Sequence, residues 1–183
     1  MNENAISTLA GLQADLPIPA DDLKRKLTIA RADQNQHLGV VGDTYTILLS
    51  GKDTAGSYCL IDMLVPPGGG PPHHRHDFEE SFTVLEGEIE ATFRGNKSTV
   101  KTGETIHIPS NAPHFFVNTG TKPARLLCIA CPAGLDEMFR EIGVPVATRT
   151  TPPPKPAPAA EDKMKANFGV LLAKYRTEMV EST

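Results

Sequence analysis

Several residue types that define other classes of protein are scarce or missing in this sequence. Among its 183 residues there is no tryptophan, aromatic residues make up only 5%, and there are three cysteines. An odd number of cysteines does not form a complete disulfide framework, which favours a reducing compartment. No segment approaches the roughly 18 consecutive apolar residues that a membrane span requires. We therefore expect a globular protein without disulfides or membrane spans.

Charge and the N-terminal sequence indicate which partners and which cellular location to expect. The net charge is −4 and no long Lys/Arg tract is present, so we expect neither a nucleic-acid-binding nor a membrane-binding surface. The first 26 residues lack a basic start followed by an apolar core, so we expect no secretory signal and a cytoplasmic location. The absence of a G-x-S-x-G motif argues against an ordinary hydrolase. The expected partner is a small-molecule substrate.

The chain divides into three regions. Residues 1–26 are too short for a domain and are expected to form an arm that lies across the body or a partner subunit. Residues 27–132 contain nine short apolar or alternating runs separated by Gly, Asp, Asn and Pro clusters. The nine predicted strands are LTIARA, TYTILLS, SYCLIDMLV, SFTVLE, EIEATF, STVK, TIHIP, HFFVN and ARLLCIAC. This spacing predicts an all-β sandwich or barrel.

The third region, residues 133–183, is predicted to contain two helices joined by a Pro-rich strap. The first helix has one apolar face, followed by the stop signals Gly143 and Pro145. Five prolines between Pro152 and Pro158 favour an extended strap. The second helix, predicted from Asp162 to Glu181, needs the barrel exterior or a second subunit to pack on. The two apolar faces comprise Leu135, Met138, Phe139 and Ile142, then Met164, Phe168, Leu171, Leu172, Tyr175 and Met179.

Histidines are concentrated in one part of the chain, where five of the six lie between His73 and His114. His74 and His76 are two residues apart, so on a strand they share a face. Glu80 opens the next alternating run and would share that face after a bend. His114 begins another strand, which an antiparallel barrel can bring beside the first. Three nitrogens and one oxygen suit a divalent metal with open positions, although an isolated H-x-H is more often a solvated loop cluster.

These residues resemble the two motifs of the cupin superfamily. The first motif, G-x5-H-x-H-x3,4-E-x6-G, is matched by Gly68, His74, His76, Glu80 and Gly87. The second, G-x5-P-x-G-x2-H-x3-N, is matched by Gly103, Pro109, His114 and Asn118, with Asn111 where the family has Gly. Asn tolerates left-handed turns, so this departure is mild. The resemblance implies an antiparallel double-stranded β-helix, a jelly-roll barrel, with those three His and one Glu as metal ligands, and commonly a homodimer.

Within the superfamily, the sequence around the ligands and the helical extension are most similar to the bacterial quercetin dioxygenase-like cupins. An ion held by three His and one Glu, with open positions, can polarise an oxygen-bearing substrate, and as Fe, Mn, Co, Ni or Cu it can also bring dioxygen and the substrate together. The expected cofactor is one divalent ion of Fe, Mn, Ni, Co, Cu or Zn, and the sequence does not select among them. We expect a dioxygenase acting on a small enolisable or aromatic hydroxyl-bearing substrate, with Glu80 as a possible general base. Phe82 and Phe116 would form an aromatic pocket. The alternatives are a non-catalytic metal-dependent binding protein, or a cupin isomerase, lyase or decarboxylase.

Some polar and sulfur-containing residues leave two interpretations open. His107 either contributes to the pocket or is satisfied locally on its strand. Asp62 lies either in the cavity or toward water. Cys128 and Cys131 form a C-x-x-C, but on a strand they face opposite sides, which disfavours a redox motif. Cys59 is expected in the core. Glu79 is expected to be exposed or paired with Arg75.

Overall fold

The computed structural model describes residues 18–154 and 169–181. In this part of the chain, twelve strands surround one core. They are β1 (His37–Val40), β2 (Asp43–Leu49), β3 (Cys59–Val65), β4 (His74–His76), β5 (Glu79–Glu86), β6 (Glu88–Phe93), β7 (Asn96–Lys101), β8 (Thr105–Ile108), β9 (His114–Val117), β10 (Ala124–Cys131), β11 (Val144–Pro145) and β12 (Thr177–Met179). Helix α1 spans Leu135–Ile142, a 3-10 turn spans Ala32–Gln34, and residues 169–174 are helical.

The strands form two sheets in which every pairing is antiparallel. In the described residues, one sheet has the order β11-β1-β2-β3-β10-β5-β8 and the other has the order β12-β4-β9-β6-β7. Apolar side chains fill the space between them, and Ile61, Val84 and Leu126 have no exposed surface. The predicted all-β jelly-roll fold is confirmed. Within the described residues, no helix is long and apolar enough to cross a membrane.

Strand β5 illustrates how the alternating sequence positions the functional residues. Glu80, Phe82 and Val84 are buried, whereas Ser81 and Thr83 between them are only partly buried. Successive side chains of a strand point to opposite faces of the sheet. The alternation therefore places the Glu80 carboxylate, and not an apolar side chain, on the inner face.

Two backbone positions near the histidine strands require special conformations. Gly70 has a φ of 130°, and a Cβ there would collide with the backbone of Phe116, so only glycine fits. Asn111 has a φ of 67°, in the left-handed region that Asn tolerates, and its N–H donates to the His76 carbonyl at 2.6 Å. Asn111, which stands where the resembled motif has Gly, therefore preserves the turn before His114.

The structure corrects two of the predicted elements. The segment LTIARA is not a strand: residues 27–31 are exposed and irregular, and the chain enters the sheet only at β1. The predicted helix from Asp162 to Glu181 is wrong at its C-terminal end. Helical residues stop at 174, and Thr177–Met179 pairs with β4. Most of the arm (residues 1–17) and residues 155–168, which include part of the Pro-rich strap and Met164 and Phe168, lie outside the described residues.

The segment after β11 packs along the outer face of the large sheet. The Thr44 hydroxyl donates to the Thr151 carbonyl at 2.8 Å, and a Cβ on Gly39 would collide with Pro153. Asp62 lies beneath this segment, only 4% exposed, and accepts hydrogen bonds from Arg125 and Arg149. Asp62 therefore lies neither in the cavity nor toward water, because it is buried and joins β3 to the segment after β11.

Candidate metal centre

The four predicted ligands converge at one end of the space between the sheets. Strand β4 carries His74 and His76, and His114 of β9 is paired directly opposite His74. Glu80 reaches the same point from β5 in the opposite sheet, after the bend between the two strands. One ligand atom from each of the four residues lies within 4.8 Å of the others. The structure thus brings together the residues that the sequence spacing selects.

Each histidine ring is oriented by a backbone carbonyl. The Nδ1 atoms of His74, His76 and His114 lie 2.8, 2.9 and 2.9 Å from the carbonyl oxygens of Pro72, Phe78 and Ala112. A carbonyl oxygen only accepts, so each Nδ1 must carry the proton, and each neutral ring presents Nε2 as an acceptor. This arrangement of the outer ring nitrogen is the one that metal-bound histidines use.

The inner atoms of the site form a group of acceptors without a donor. Glu80 Oε2 lies 3.1 Å from His76 Nε2 and 3.5 Å from His114 Nε2. His114 Nε2 is buried and, within the described residues, has no hydrogen-bond partner. Acceptors that face one another in a buried site repel unless a positive charge lies between them. The residues therefore fit one divalent cation with three nitrogen ligands and one oxygen ligand.

The surroundings favour the protonation states that metal binding needs. Burial, followed by the nearby His114 ring, lowers the pKa of His74 to about 4. Burial alone would raise the pKa of Glu80, but interaction with the positively charged forms of the His114 and His76 rings outweighs burial and lowers it to about 2. A bound cation in place of those ring protons would favour the same ionised carboxylate. Because a metal binds deprotonated ligands, His74 and Glu80 need to lose no proton at neutral pH.

Cys128 is a neighbour of the site that sequence reasoning missed. Its thiol has no exposed surface and donates to Glu80 Oε1 at 3.3 Å. Burial and the Glu80 charge raise its pKa well above the usual value, so the neutral thiol orients the carboxylate. The alternation of β10 is visible in the sequence and places Cys128 on the inner face. Its position beside the site follows from its pairing with Phe82 of β5. Cys131 points away, and buried Cys59 is a core residue as expected.

An apolar cavity, partly open to solvent, adjoins the four ligands and leaves about 80 Å³ for the centre of a water-sized sphere. Phe82 and Phe116 line it as expected, with ring centroids 5.2 Å apart and planes at 73°. Helix α1 adds Met138 and Phe139, and Tyr45 of β2 completes this part of the wall. The sequence alone predicts α1 only as an amphipathic packing element.

The C-terminal segment covers the ligand strand β4. Thr177 pairs with His76 and Met179 pairs with His74, and both residues line the cavity together with Leu172. Arg75 Nε donates to Glu178 at 2.7 Å, which fixes this segment further. Arg75 therefore pairs with Glu178 and not with Glu79, and Glu79 is exposed, which is the other of its two expected states.

His107 is the one predicted pocket residue that lies elsewhere. Its side chain is 58% exposed, and its Nε2 lies 3.0 Å from the Glu79 carboxylate. Its Nδ1 is 3.0 Å from the Ser81 hydroxyl. His107 therefore shares the outer face with these two β5 residues and does not line the cavity. The interpretation that His107 is satisfied locally agrees with the structure.

Comparisons with known proteins agree with this architecture. Residues 61–130 match the family model described as Cupin domain. A 74-residue segment is 38% identical to an uncharacterized protein of Methanocaldococcus jannaschii, covering 40% of this chain and 59% of that one. A 102-residue segment is 24% identical to quercetin 2,3-dioxygenase of Bacillus subtilis, covering 55% of this chain and 30% of that one. The chain thus matches less than two thirds of the length of either relative.

Among solved structures, an RmlC-like cupin from Shewanella frigidimarina resembles this chain with a TM-score of 0.54 and 16% sequence identity. The match covers 63% of this chain and 99% of that one. At this identity the likeness establishes the fold alone.

Proposed function

Because residues 61–130 match the Cupin domain family model and the chain has the cupin fold, we propose that it is a metal-dependent oxygenase acting on a small enolisable or aromatic hydroxyl-bearing substrate. The observation that carries the proposal is the convergence of four acceptor atoms, all within 4.8 Å of one another, beside an apolar cavity. A bound divalent transition metal would supply a positive centre for substrate oxygens and, with a redox-active ion, chemistry with dioxygen.

Different residues of the site would bind the metal and contact the substrate. His74, His76, Glu80 and His114 would hold the ion. Phe82 and Phe116 present ring faces and edges, which suit a planar apolar substrate body. Buried Leu172 and Met179, which is 42% exposed, cover part of the cavity and would limit the access of water to the substrate. A largely apolar wall with a few convergent polar groups is the usual composition of a small-molecule site.

The low pKa of Glu80 favours the role of a metal ligand over that of a general base. A general base works best when its pKa lies near the operating pH, whereas the Glu80 pKa is about 2. Its second oxygen is also held by the Cys128 thiol. A proton leaving the substrate therefore needs another acceptor in the cavity.

The first experiment is metal quantification in protein purified without an affinity tag or chelator. We expect about one equivalent of a transition metal in the wild type, and its loss in His76→Ala and in His114→Ala. His107→Ala is the matched control, because this exposed histidine lies outside the cluster and should leave the metal content unchanged. Metal-free wild type that binds no ion on titration would overturn the proposal.

The second experiment separates an oxygenase from a non-catalytic binding protein. Oxygen uptake by the metal-loaded protein is measured with a flavonol and with other enolisable aromatic substrates. Uptake that requires the substrate and disappears in His114→Ala supports the oxygenase. If these compounds bind without oxygen consumption, the protein is a metal-dependent binding protein or a cupin with non-oxidative chemistry.

A further inference from the structure

A second polar group lies on the wall of the cavity, apart from the four ligands. Tyr45 lines the cavity, and its hydroxyl donates to Asp43 Oδ2 at 2.9 Å. Tyr45 is 4% exposed and Asp43 only 1% exposed. A phenol that donates its proton keeps its oxygen lone pairs as acceptors. Within the described residues, no hydrogen bond to the Tyr45 oxygen is present, so this acceptor capacity is unused.

On the basis of the proposed function, we propose that Tyr45 and Asp43 form a proton relay that accepts the hydroxyl proton of a substrate bound in the cavity. The substrate O–H bond breaks as an O–H bond forms on Tyr45, and the original Tyr45 O–H bond breaks as one forms on Asp43 Oδ2. The substrate oxygen becomes an oxyanion, and Asp43 becomes a neutral carboxylic acid. Tyr45 ends as a neutral phenol, so no co-reactant is needed.

The position of Asp43 suits the final acceptor. Its Oδ1 is buried without a hydrogen-bond partner among the described residues and lies against Gly69. Burial raises the pKa of Asp43 to about 7, although Tyr45 and the Gly70 backbone lower it. An acceptor with this pKa takes and returns a proton near neutral pH.

Tyr45 itself remains protonated except during the transfer. Burial, the Asp43 charge and the hydrogen bond to Asp43 raise its pKa well above the usual value, and Cys128 and Glu80 add to this. From the neighbouring elements, β3 faces Tyr45 with Met63 and α1 faces it with Phe139, with ring centroids 4.9 Å apart. Neither residue titrates. Asp43, Cys128 and Glu80 are therefore the ionisable groups that act on the phenol.

The relay is tested by counting protons released when 4-nitrocatechol, a small planar diphenol, binds to the zinc-loaded protein. Calorimetry in two buffers of different ionisation enthalpy gives this count. At pH 8, Asp43 is ionised in the free protein and keeps one proton from the probe. We therefore expect Asp43→Asn to release about one proton more per bound probe than the wild type. At pH 6 the difference should shrink, because Asp43 is already protonated.

Matched variants separate the relay from a structural role of the pair. Tyr45→Phe breaks the relay and should release protons as Asp43→Asn does. Tyr58→Phe removes a hydroxyl outside the cavity wall and should behave as the wild type. A role of Asp43 limited to holding the Gly69–Gly70 turn would not change the proton count. Equal counts in the wild type and in Asp43→Asn at pH 8 overturn the relay.

A measurement without metal or probe keeps this inference distinct from the proposed function. In protein labelled with ¹³C at aspartate carboxyl groups, the Asp43 resonance is assigned by its loss in Asp43→Asn. We expect a titration midpoint near neutral pH that rises in Tyr45→Phe. A midpoint near the ordinary aspartate value overturns the relay even if metal binds. If the probe fails to bind the zinc-loaded wild type, the metal-dependent function fails, and the carboxyl titration still decides whether the pair is coupled.

Discussion

Thr177 lies directly opposite His76 in an antiparallel pair of strands. A residue close to the C-terminus is therefore the neighbour of a central metal ligand. The same segment contributes Leu172 and Met179 to the cavity wall. The closure of the metal pocket thus depends on a part of the chain that lies outside the barrel sequence.

Deleting residues 169–183 should accelerate metal release to a chelator. The deletion removes the strand beside β4 and the buried Leu172, so water and chelator reach the ligands. We expect at least about a tenfold faster release, the factor that corresponds to ~1.4 kcal/mol of lost local stability. The rate is followed by the absorbance of a metal-binding dye. Glu178→Ala is the control.

The control removes only an exposed ion pair of the same segment. Glu178 is 63% exposed and pairs with Arg75, which is 48% exposed. Such surface pairs contribute ~1 kcal/mol or less, so the release rate should stay close to that of the wild type. Equal rates for the deletion and the wild type would show that the segment does not protect the site.

The three thiols should differ sharply in reactivity toward Ellman's reagent. Cys59 and Cys128 have no exposed surface, and burial raises the pKa of Cys59 to about 11. The thiolate is the reactive form, so both should be inert in the folded protein. Half-buried Cys131 should account for the single fast thiol, which Cys131→Ser removes, and urea should expose all three. Two fast thiols in the native protein would contradict this placement and reopen a redox role for the C-x-x-C.

The ligands were predictable from the sequence because local geometry and a spaced motif both specify them. His74 and His76 share a face by strand pleating alone, and Glu80 continues that face after the bend. The inner face of β5 is likewise visible in the alternation around Phe82. These features depend on residues close together in the sequence.

Features that depend on long-range pairing were not predictable. In the sequence, Met179 of β12 continues the helical spacing of the apolar face that includes Leu172 and Tyr175. The chain nevertheless leaves the helix at Arg176, whose φ of 53° is left-handed, and pairs with β4. The face of His107 is set by its pairing with Ser81, which the strand's own alternation does not specify. The hydrogen bond between Tyr45 and Asp43 likewise requires knowledge of which face of β2 is buried.

Asp62→Asn should destabilise the fold although Asp62 lies on the face of β3 that points away from the cavity. Asp62 accepts from Arg125 at 2.6 Å and from Arg149 at 2.7 Å. Replacing the carboxylate weakens charge-assisted hydrogen bonds worth about 1.5–3 kcal/mol. We expect a decrease of roughly 2 kcal/mol in the free energy of unfolding in urea. Glu86→Gln is the control, since exposed Glu86 approaches the same Arg125 only at 3.5 Å. A loss as large for Glu86→Gln would argue against a special role of the buried carboxylate.

The stability of the metal-free protein should depend on pH through Asp43. Burial raises the Asp43 pKa from 3.8 to about 7, so the folded state binds its proton more tightly than the unfolded state. This contribution is fully present below pH 3.8 and is lost as the pH rises through about 7. Between pH 5 and pH 8 the wild type should lose roughly 3 kcal/mol relative to Asp43→Asn.

The measurement is urea unfolding of both proteins at the two pH values in the presence of a chelator. Taking the difference between the wild type and Asp43→Asn at each pH cancels the opposite contribution of His74, whose pKa is lowered to about 4 in the folded state. Asp53→Asn provides the control. Hydrogen bonds from Ser50 lower the Asp53 pKa, so this carboxyl is ionised in the folded and unfolded states at both pH values. The difference in unfolding free energy between the wild type and Asp53→Asn should therefore be the same at both pH values. A flat difference for Asp43→Asn as well would mean that Asp43 titrates as an ordinary aspartate, and it would remove the final acceptor from the proposed relay.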